Sequence, residues 1–206
     1  YQAIVRGFTG IEGHAHPVMA SILPENEKKA TELLAKLPRV DKYIALCVKG
    51  TFALKTWPKE YFAELVAELA KRYRAAFFIV GAPSDRDYAD EVIAGMKQPV
   101  WNLCGDTTLV DLAAVIGKVD LFVTVDTGAT HIAATTGVRM VTMYGCTSPR
   151  RWHPYNENAR VLTTDADCCP CKIAPKECST WPKPKCLWNI TPAMVLEKCE
   201  ELLGKS

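Results

Sequence analysis

Ala76-Phe77-Phe78-Ile79-Val80-Gly81 is a run of five apolar residues ended by glycine. Strands of a parallel sheet read this way because crossover helices cover both of their faces. Outward from this run, short apolar stretches alternate with amphipathic ones. Upstream, Tyr43-Ile44-Ala45-Leu46-Cys47-Val48 reads as a first strand, and Pro58 opens a helix on which Phe62, Leu65, Val66, Leu69 and Tyr73 recur on one face. Downstream, Ser84 caps a helix running to about residue 96, and a third strand follows over 100–103. Thr108-Leu109-Val110-Asp111 has the layout of a capping box with Asp in the acidic place, backed by a buried stripe of Leu109, Leu112, Ala113 and Ile116. Residues 120–125 form a fourth strand, 128–136 a helix of small residues closed by Gly137, and 140–144 a fifth strand. Thr191-Pro192 starts a last amphipathic helix that Gly204 stops. This alternation predicts an α/β fold: a Rossmann-like parallel sheet of about six strands with helices on both faces.

The totals narrow the partners. The 206 residues carry a formal charge of only +2, so the broad positive field that a nucleic-acid binder turns toward phosphates is missing. No apolar run approaches the ~20 residues that span a bilayer, and Tyr1-Gln2-Ala3-Ile4-Val5-Arg6 lacks a signal-peptide layout, so a cytoplasmic protein is expected. Nine cysteines, an odd number, argue against a fully paired secreted framework. Cys47, Cys104, Cys146 and Cys199 sit in apolar segments, whereas Cys168, Cys169, Cys171, Cys178 and Cys186 crowd into one loop.

Ligands of open α/β sheets bind beyond the carboxyl ends of the strands, which directs attention to three segments. After the first strand, Gly50-Thr51-Phe52-Ala53-Leu54-Lys55-Thr56-Trp57-Pro58 offers a flexible glycine, a hydroxyl and a cation before a helix, a setting for a diphosphate. The same letters also describe a solvated lysine beside a packing tryptophan. After the fourth strand, Asp126-Thr127-Gly128-Ala129-Thr130-His131 opens a helix so poor in bulk that a ligand can come close, with His131 one turn in. A capping Asp and a His packed on the sheet fit that segment too. After the fifth strand, Thr147 and Ser148 are either ligand contacts or parts of a proline-rich turn before Arg150 and Arg151.

Together these segments resemble glycosyltransferase family nine, the heptosyltransferases of lipopolysaccharide assembly. The resemblance covers about residues 43–204. It rests on Lys55-Thr56-Trp57-Pro58-Lys59-Glu60-Tyr61-Phe62, Asn102-Leu103-Cys104-Gly105-Asp106-Thr107-Thr108-Leu109, Asp126-Thr127-Gly128-Ala129-Thr130-His131, and Tyr144-Gly145-Cys146-Thr147-Ser148-Pro149 with Trp152 and Pro154-Tyr155. It implies a GT-B architecture, two Rossmann-like domains with the active site between them, the second binding the nucleotide-sugar donor without a metal or other cofactor. Residues 43–206 are then the donor-binding domain, and 1–42 a remnant of the N-terminal domain plus the interdomain linker, with one charged helix near 25–37. The donor implied is ADP-heptose and the acceptor a lipopolysaccharide core, bound through the missing domain.

The resemblance further implies that Lys55 and Thr51 contact the donor phosphates, and that Asp126, Thr127, Gly128 and His131 surround phosphates and sugar. Lys55 is the catalytic expectation, stabilising charge on the leaving diphosphate. Asp85 is the nearest carboxylate after the second strand, although Gly81-Ala82-Pro83-Ser84-Asp85 departs from the commoner family pattern, as does Val48-Lys49-Gly50. The general base belongs to the first domain, so this chain alone is expected to lack transfer activity.

Cys168-Cys169-Pro170-Cys171 with Cys178 and Cys186 supplies enough thiols for tetrahedral zinc, but free or partly paired structural thiols are the expectation for a reducing cytosol. Lys172, Lys176, Lys183 and Lys185 with Trp181 and Trp188 raise a peripheral contact with the anionic inner membrane, or simply a solvated loop. Two other functions compete. In a haloacid-dehalogenase-like phosphatase Asp126 would be the nucleophile, but Gly128 stands where that class needs a second Asp. A non-catalytic nucleotide-sugar-binding module would keep the same pocket.

Overall fold

The computed structural model describes residues 6, 7, 10, 21–171 and 177–204. Six strands, β1 (Lys42–Cys47), β2 (Ala75–Ile79), β3 (Val100–Asn102), β4 (Leu121–Val125), β5 (Met140–Met143) and β6 (Ala159–Leu162), form one sheet in the order β3-β2-β1-β4-β5-β6. All the pairings are parallel, with Ile44 in register with Phe77 on one side and Leu121 on the other. The order runs outward in both directions from the β1/β4 pair, the doubly wound arrangement expected from the β-α alternation.

Side chains alternate across each strand, so neighbouring residues enter different layers. Ile44, Leu46, Phe77, Ile79, Leu121, Val123 and Val125 face one core, and Ala45, Cys47, Ala76, Phe78 and Phe122 face the other. The first core is covered by α2 (Lys59–Arg72), α3 (Arg86–Ala94) and α8 (Pro192–Leu203), through Phe62, Leu65, Val66, Leu69, Ala89, Val92, Val195 and Cys199. The second lies under α1 (Pro24–Leu34), α4 (Leu109–Ile116) and α5 (Gly128–Ala134). Each large apolar side chain withdrawn in this way contributes about 1.5–3 kcal/mol. The apolar run at 76–80 is therefore apolar on both alternations because it has two cores to fill.

Local chemistry sets the helix ends. Thr108 Oγ1 accepts from the Asp111 amide at 3.2 Å while Asp111 Oδ2 accepts from the Thr108 amide at 3.0 Å, the reciprocal box read from the sequence. Thr191 Oγ1 accepts from the Met194 amide at 3.4 Å and Pro192 opens α8. Two details differ from expectation. Ser84 does not cap α3: Pro83 starts a 3-10 turn, Pro83–Asp85, and Asp85 Oδ2 takes the Ala82 amide at 3.0 Å instead. Leu109 is not in the buried stripe but 69% exposed, because the first residue after the Thr108 cap points past the sheet toward the strand ends.

The segment before β1 packs on the same body. Ala30, Leu33 and Leu37 enter the second core, and α1 is pinned to α4 by Lys29 Nζ and Asn26 Nδ2, each 2.8 Å from the Asp111 carboxylate. Burial pushes the Asp111 carboxyl upward, but the bonds from Lys29, Asn26 and the Thr108 amide outweigh it and hold the group well below the usual carboxylate range. A depressed carboxyl stabilises the fold above its unfolded value, here 3.8, and that stability is lost as the pH falls toward the lower folded value. Asp111→Asn should therefore destabilise the protein by roughly 1–3 kcal/mol at pH 7. In chemical denaturation, the gap between wild type and variant should close as the pH is lowered beneath about 3.8.

Candidate functional site

At the reversal of strand order the loops after β1 and β4 part, and a cavity of about 680 Å³ opens beyond the strand ends. Its walls come from four strand ends: Cys47 and 49–51 after β1, 81–85 after β2, Thr107 to Leu109 with Leu112 after β3, and Thr127 to Ala129 with Ile132 after β4. The volume suits a nucleotide-sized ligand. Of the residues singled out from the sequence, Thr51, Asp85, Thr127 and Gly128 line this cavity.

Lys55 and Asp126 meet each other instead. Lys55 Nζ lies 2.7 Å from Asp126 Oδ2, with side-chain exposures of 17% and 6%. Asp126 directly precedes the cavity-lining Thr127, so the ammonium stands next to the first turn of α5. Thr147 Oγ1, from the loop between β5 and α6 (Pro149–Trp152), donates to the same Oδ2 at 2.5 Å. The ends of β1, β4 and β5 thus converge on one buried carboxylate. Lys55 reaches it from the 3-10 turn Ala53–Lys55, with the Phe52 ring centroid 5.4 Å from Nζ. An ammonium has three N–H donors, and Asp126 engages one, so the cation can still serve an anion on the open side. His131 is exposed outside the cavity wall, its ring centroid 6.4 Å from that of Trp152.

Two glycines have opposite reasons to be there. A Cβ on Gly50 would lie 2.4 Å from Lys55 Cβ and 2.5 Å from Lys55 O, so only glycine lets the loop fold back on the segment that carries the lysine. A Cβ on Gly128 would meet nothing within 4 Å; the space in front of it belongs to the cavity. Trp57 is a packing residue: it is fully buried and its Nε1 donates to Ile190 O at 2.8 Å.

Sequence reasoning passed over Lys49. It lines the cavity, pairs with Asp85 Oδ1 at 3.0 Å and donates to Ser84 O at 3.3 Å, joining the loops after β1 and β2. Its signal was a cation immediately beyond the first strand. Cys47 forms part of the floor, where burial pushes its thiol up and so keeps it protonated, with Sγ 3.8 Å from Thr127 Oγ1.

The cysteine loop lies under the β5 end. The Cys171 amide donates to Cys146 O at 2.7 Å, and Cys186 is buried beneath Gly145, where an added Cβ would come within 3.1 Å of its Sγ. Cys168, Cys169, Cys178 and Cys186 are free thiols. Among the described residues no three His, Cys, Asp or Glu side chains converge so as to hold a metal ion. Lys183 Nζ sits 4.7 Å from the centroid of the Trp188 ring, and Lys172 and Lys176 lie outside the described residues. Among the described residues no helix is long and apolar enough to cross a membrane.

A doubly wound sheet with a cation and an amide-rich turn at its switch point belongs to the class of open α/β proteins that bind ligands beyond the carboxyl ends of their strands. Comparison with known proteins makes this specific. The model of glycosyltransferase family 9 (heptosyltransferase) matches residues 3–181, and the chain belongs to that family. It is 31% identical over 158 residues to lipooligosaccharide heptosyltransferase 2 of Campylobacter jejuni, covering 74% of this chain and 48% of that protein. Lipopolysaccharide heptosyltransferase 2 of Escherichia coli K12 is 31% identical, covering 67% of this chain and 41% of its own length. The chain spans about half the length of the curated relatives it matches. In the fold, a family 9 glycosyl transferase from Veillonella parvula superposes with a TM-score of 0.81 at 22% identity, over 98% of this chain and 58% of that one. The E. coli heptosyltransferase WaaC with ADP superposes with a TM-score of 0.60 at 26% identity, over 84% and 48%.

Gly50→Ala should cost about 1–3 kcal/mol and move the Lys55 backbone, because the clash is with main chain that cannot rotate away. A crystal structure of this variant should show the Lys55–Asp126 contact opened beyond 4 Å, with a lowered melting temperature. Gly128→Ala should leave both unchanged.

Proposed function

We propose that this chain is the donor-binding half of a heptosyltransferase of GT-B architecture, holding ADP-heptose for transfer of its sugar to a lipopolysaccharide core acceptor. One observation carries the reading: Lys55 Nζ lies 2.7 Å from Asp126, and Asp126 directly precedes the Thr127–Gly128 turn that lines a nucleotide-sized cavity at the switch point of the sheet. Solved relatives support it, since the E. coli heptosyltransferase WaaC has been determined with ADP and with ADP-2-deoxy-2-fluoro heptose.

In this reading the nucleoside occupies the cavity, its hydroxyls toward Asp85 and its base against the exposed Leu109. The diphosphate lies toward Thr51, Lys55 and the amides of Gly128 and Ala129. Breaking the sugar–phosphate bond leaves added negative charge on the diphosphate, and a cation already held in place stabilises that charge without reorganising. Asp126 is the group that holds it. Residues 43–206 form the donor domain, with the preceding segment leading toward the other domain. The acceptor, and the carboxylate that takes the proton from its hydroxyl, belong to that other domain.

Isothermal titration calorimetry with ADP-heptose, ADP and UDP-glucose tests the proposal. ADP-heptose should bind most tightly, and Lys55→Ala should weaken it about ten-fold or more, equivalent to at least ~1.4 kcal/mol, with an unchanged circular dichroism spectrum. Failure of the wild type to bind any of the three would refute the reading.

A further inference from the structure

We infer that Thr147 is a positioning residue for Lys55, acting through Asp126; the inference rests on the donor-site reading above. Two donors share a single acceptor atom. Asp126 Oδ2 receives Lys55 Nζ at 2.7 Å and Thr147 Oγ1 at 2.5 Å, both in the range of charge-assisted hydrogen bonds. Asp126 is only 4% exposed, so solvent reaches its carboxylate poorly and is a weak substitute for the threonine hydroxyl. A nearly dry ion pair is held in one geometry only when further hydrogen bonds satisfy its remaining lone pairs. Thr147 supplies such a bond from a third strand end, independent of the loop that carries the lysine.

The direction of the effect follows. With Thr147 in place, part of the carboxylate's charge is spent on a neutral hydroxyl, and Lys55 is oriented by Asp126 yet keeps donors for an incoming phosphate. Without the hydroxyl, Lys55 becomes the sole strong donor to Oδ2, and the carboxylate competes more strongly with an incoming phosphate for the ammonium.

Thr147 itself is held from below. Gly145 has no room for a Cβ, which would lie 2.7 Å from Leu187 Cγ and 3.1 Å from Cys186 Sγ, and Cys146 O is tied to the Cys171 amide at 2.7 Å. The loop after β5 is thereby clamped against α7 (Lys185–Trp188) and the cysteine loop. The cysteine-bearing segment therefore sets the height at which Thr147 meets Asp126.

The test compares ADP with adenosine, which lacks the phosphates, on wild type, Thr147→Val and Thr147→Ser by calorimetry. Thr147→Val keeps the branched shape and removes the hydroxyl. It should weaken ADP about three- to ten-fold and leave adenosine unchanged, and Thr147→Ser should restore ADP affinity. Equal ADP binding by wild type and Thr147→Val would overturn the inference, as would a parallel loss of ADP and adenosine, the mark of a merely structural role. Failure of Thr147→Ser to recover ADP binding would also overturn it. A wild type that binds adenosine but gains nothing from the phosphates would overturn the donor-site reading itself, a result distinguishable from the other three.

Discussion

Everything at the strand ends depends on one carboxylate that water hardly reaches. Asp126 is fixed in space by β4, one of the two central strands, and Lys55 and Thr147 are brought to it by loops on either side. A buried carboxylate left with neither partner would pay a desolvation cost of several kcal/mol. The loops after β1 and β5 are therefore constrained to close on β4, and the cavity wall beside Thr127 takes its shape from that closure. The same pair places a positive group next to the open turn at Gly128 before any ligand arrives, and the proposed donor reading uses that preorganisation to stabilise charge on a leaving diphosphate.

The clamp works because the sheet beneath it is rigid. Both faces are packed, with alternate residues of β1, β2 and β4 sent into separate cores, so the strand ends have little freedom to drift. At the start of α4 Asp111 performs a comparable task for α1, gathering Asn26, Lys29 and the Thr108 amide. Two buried aspartates, each serving several donors, thus tie peripheral segments to the central layer.

The fold was largely legible because a doubly covered parallel strand has no polar alternation to confuse its reading; the run at 76–80 is the clearest case. Caps at Thr108 and Thr191 were legible for the same local reason, a short polar side chain beside a backbone amide. What escaped was tertiary. β6, Ala159–Leu162, has mixed polarity as the edge strand, and Leu109 looked like part of a helical stripe although its position after the cap turns it outward. At the site, Gly50 and Gly128 stood out, but not that one answers the chain's own backbone and the other an open space. Lys49 was visible only as another loop lysine, and Thr147 as half of a turn. Their partners, Asp85 and Asp126, lie 36 and 21 residues away, a distance no local pattern spans.

In the proposed donor complex a diphosphate lies between the Lys55 ammonium and the turn at Gly128. The most direct measurement is a crystal structure of the chain soaked with ADP. A β-phosphate oxygen should lie within hydrogen-bond reach of Lys55 Nζ, about 3.2 Å or less, with the ribose toward Asp85. An ADP whose phosphates point away from Lys55, or which sits elsewhere on the sheet while that rim stays empty, would contradict it.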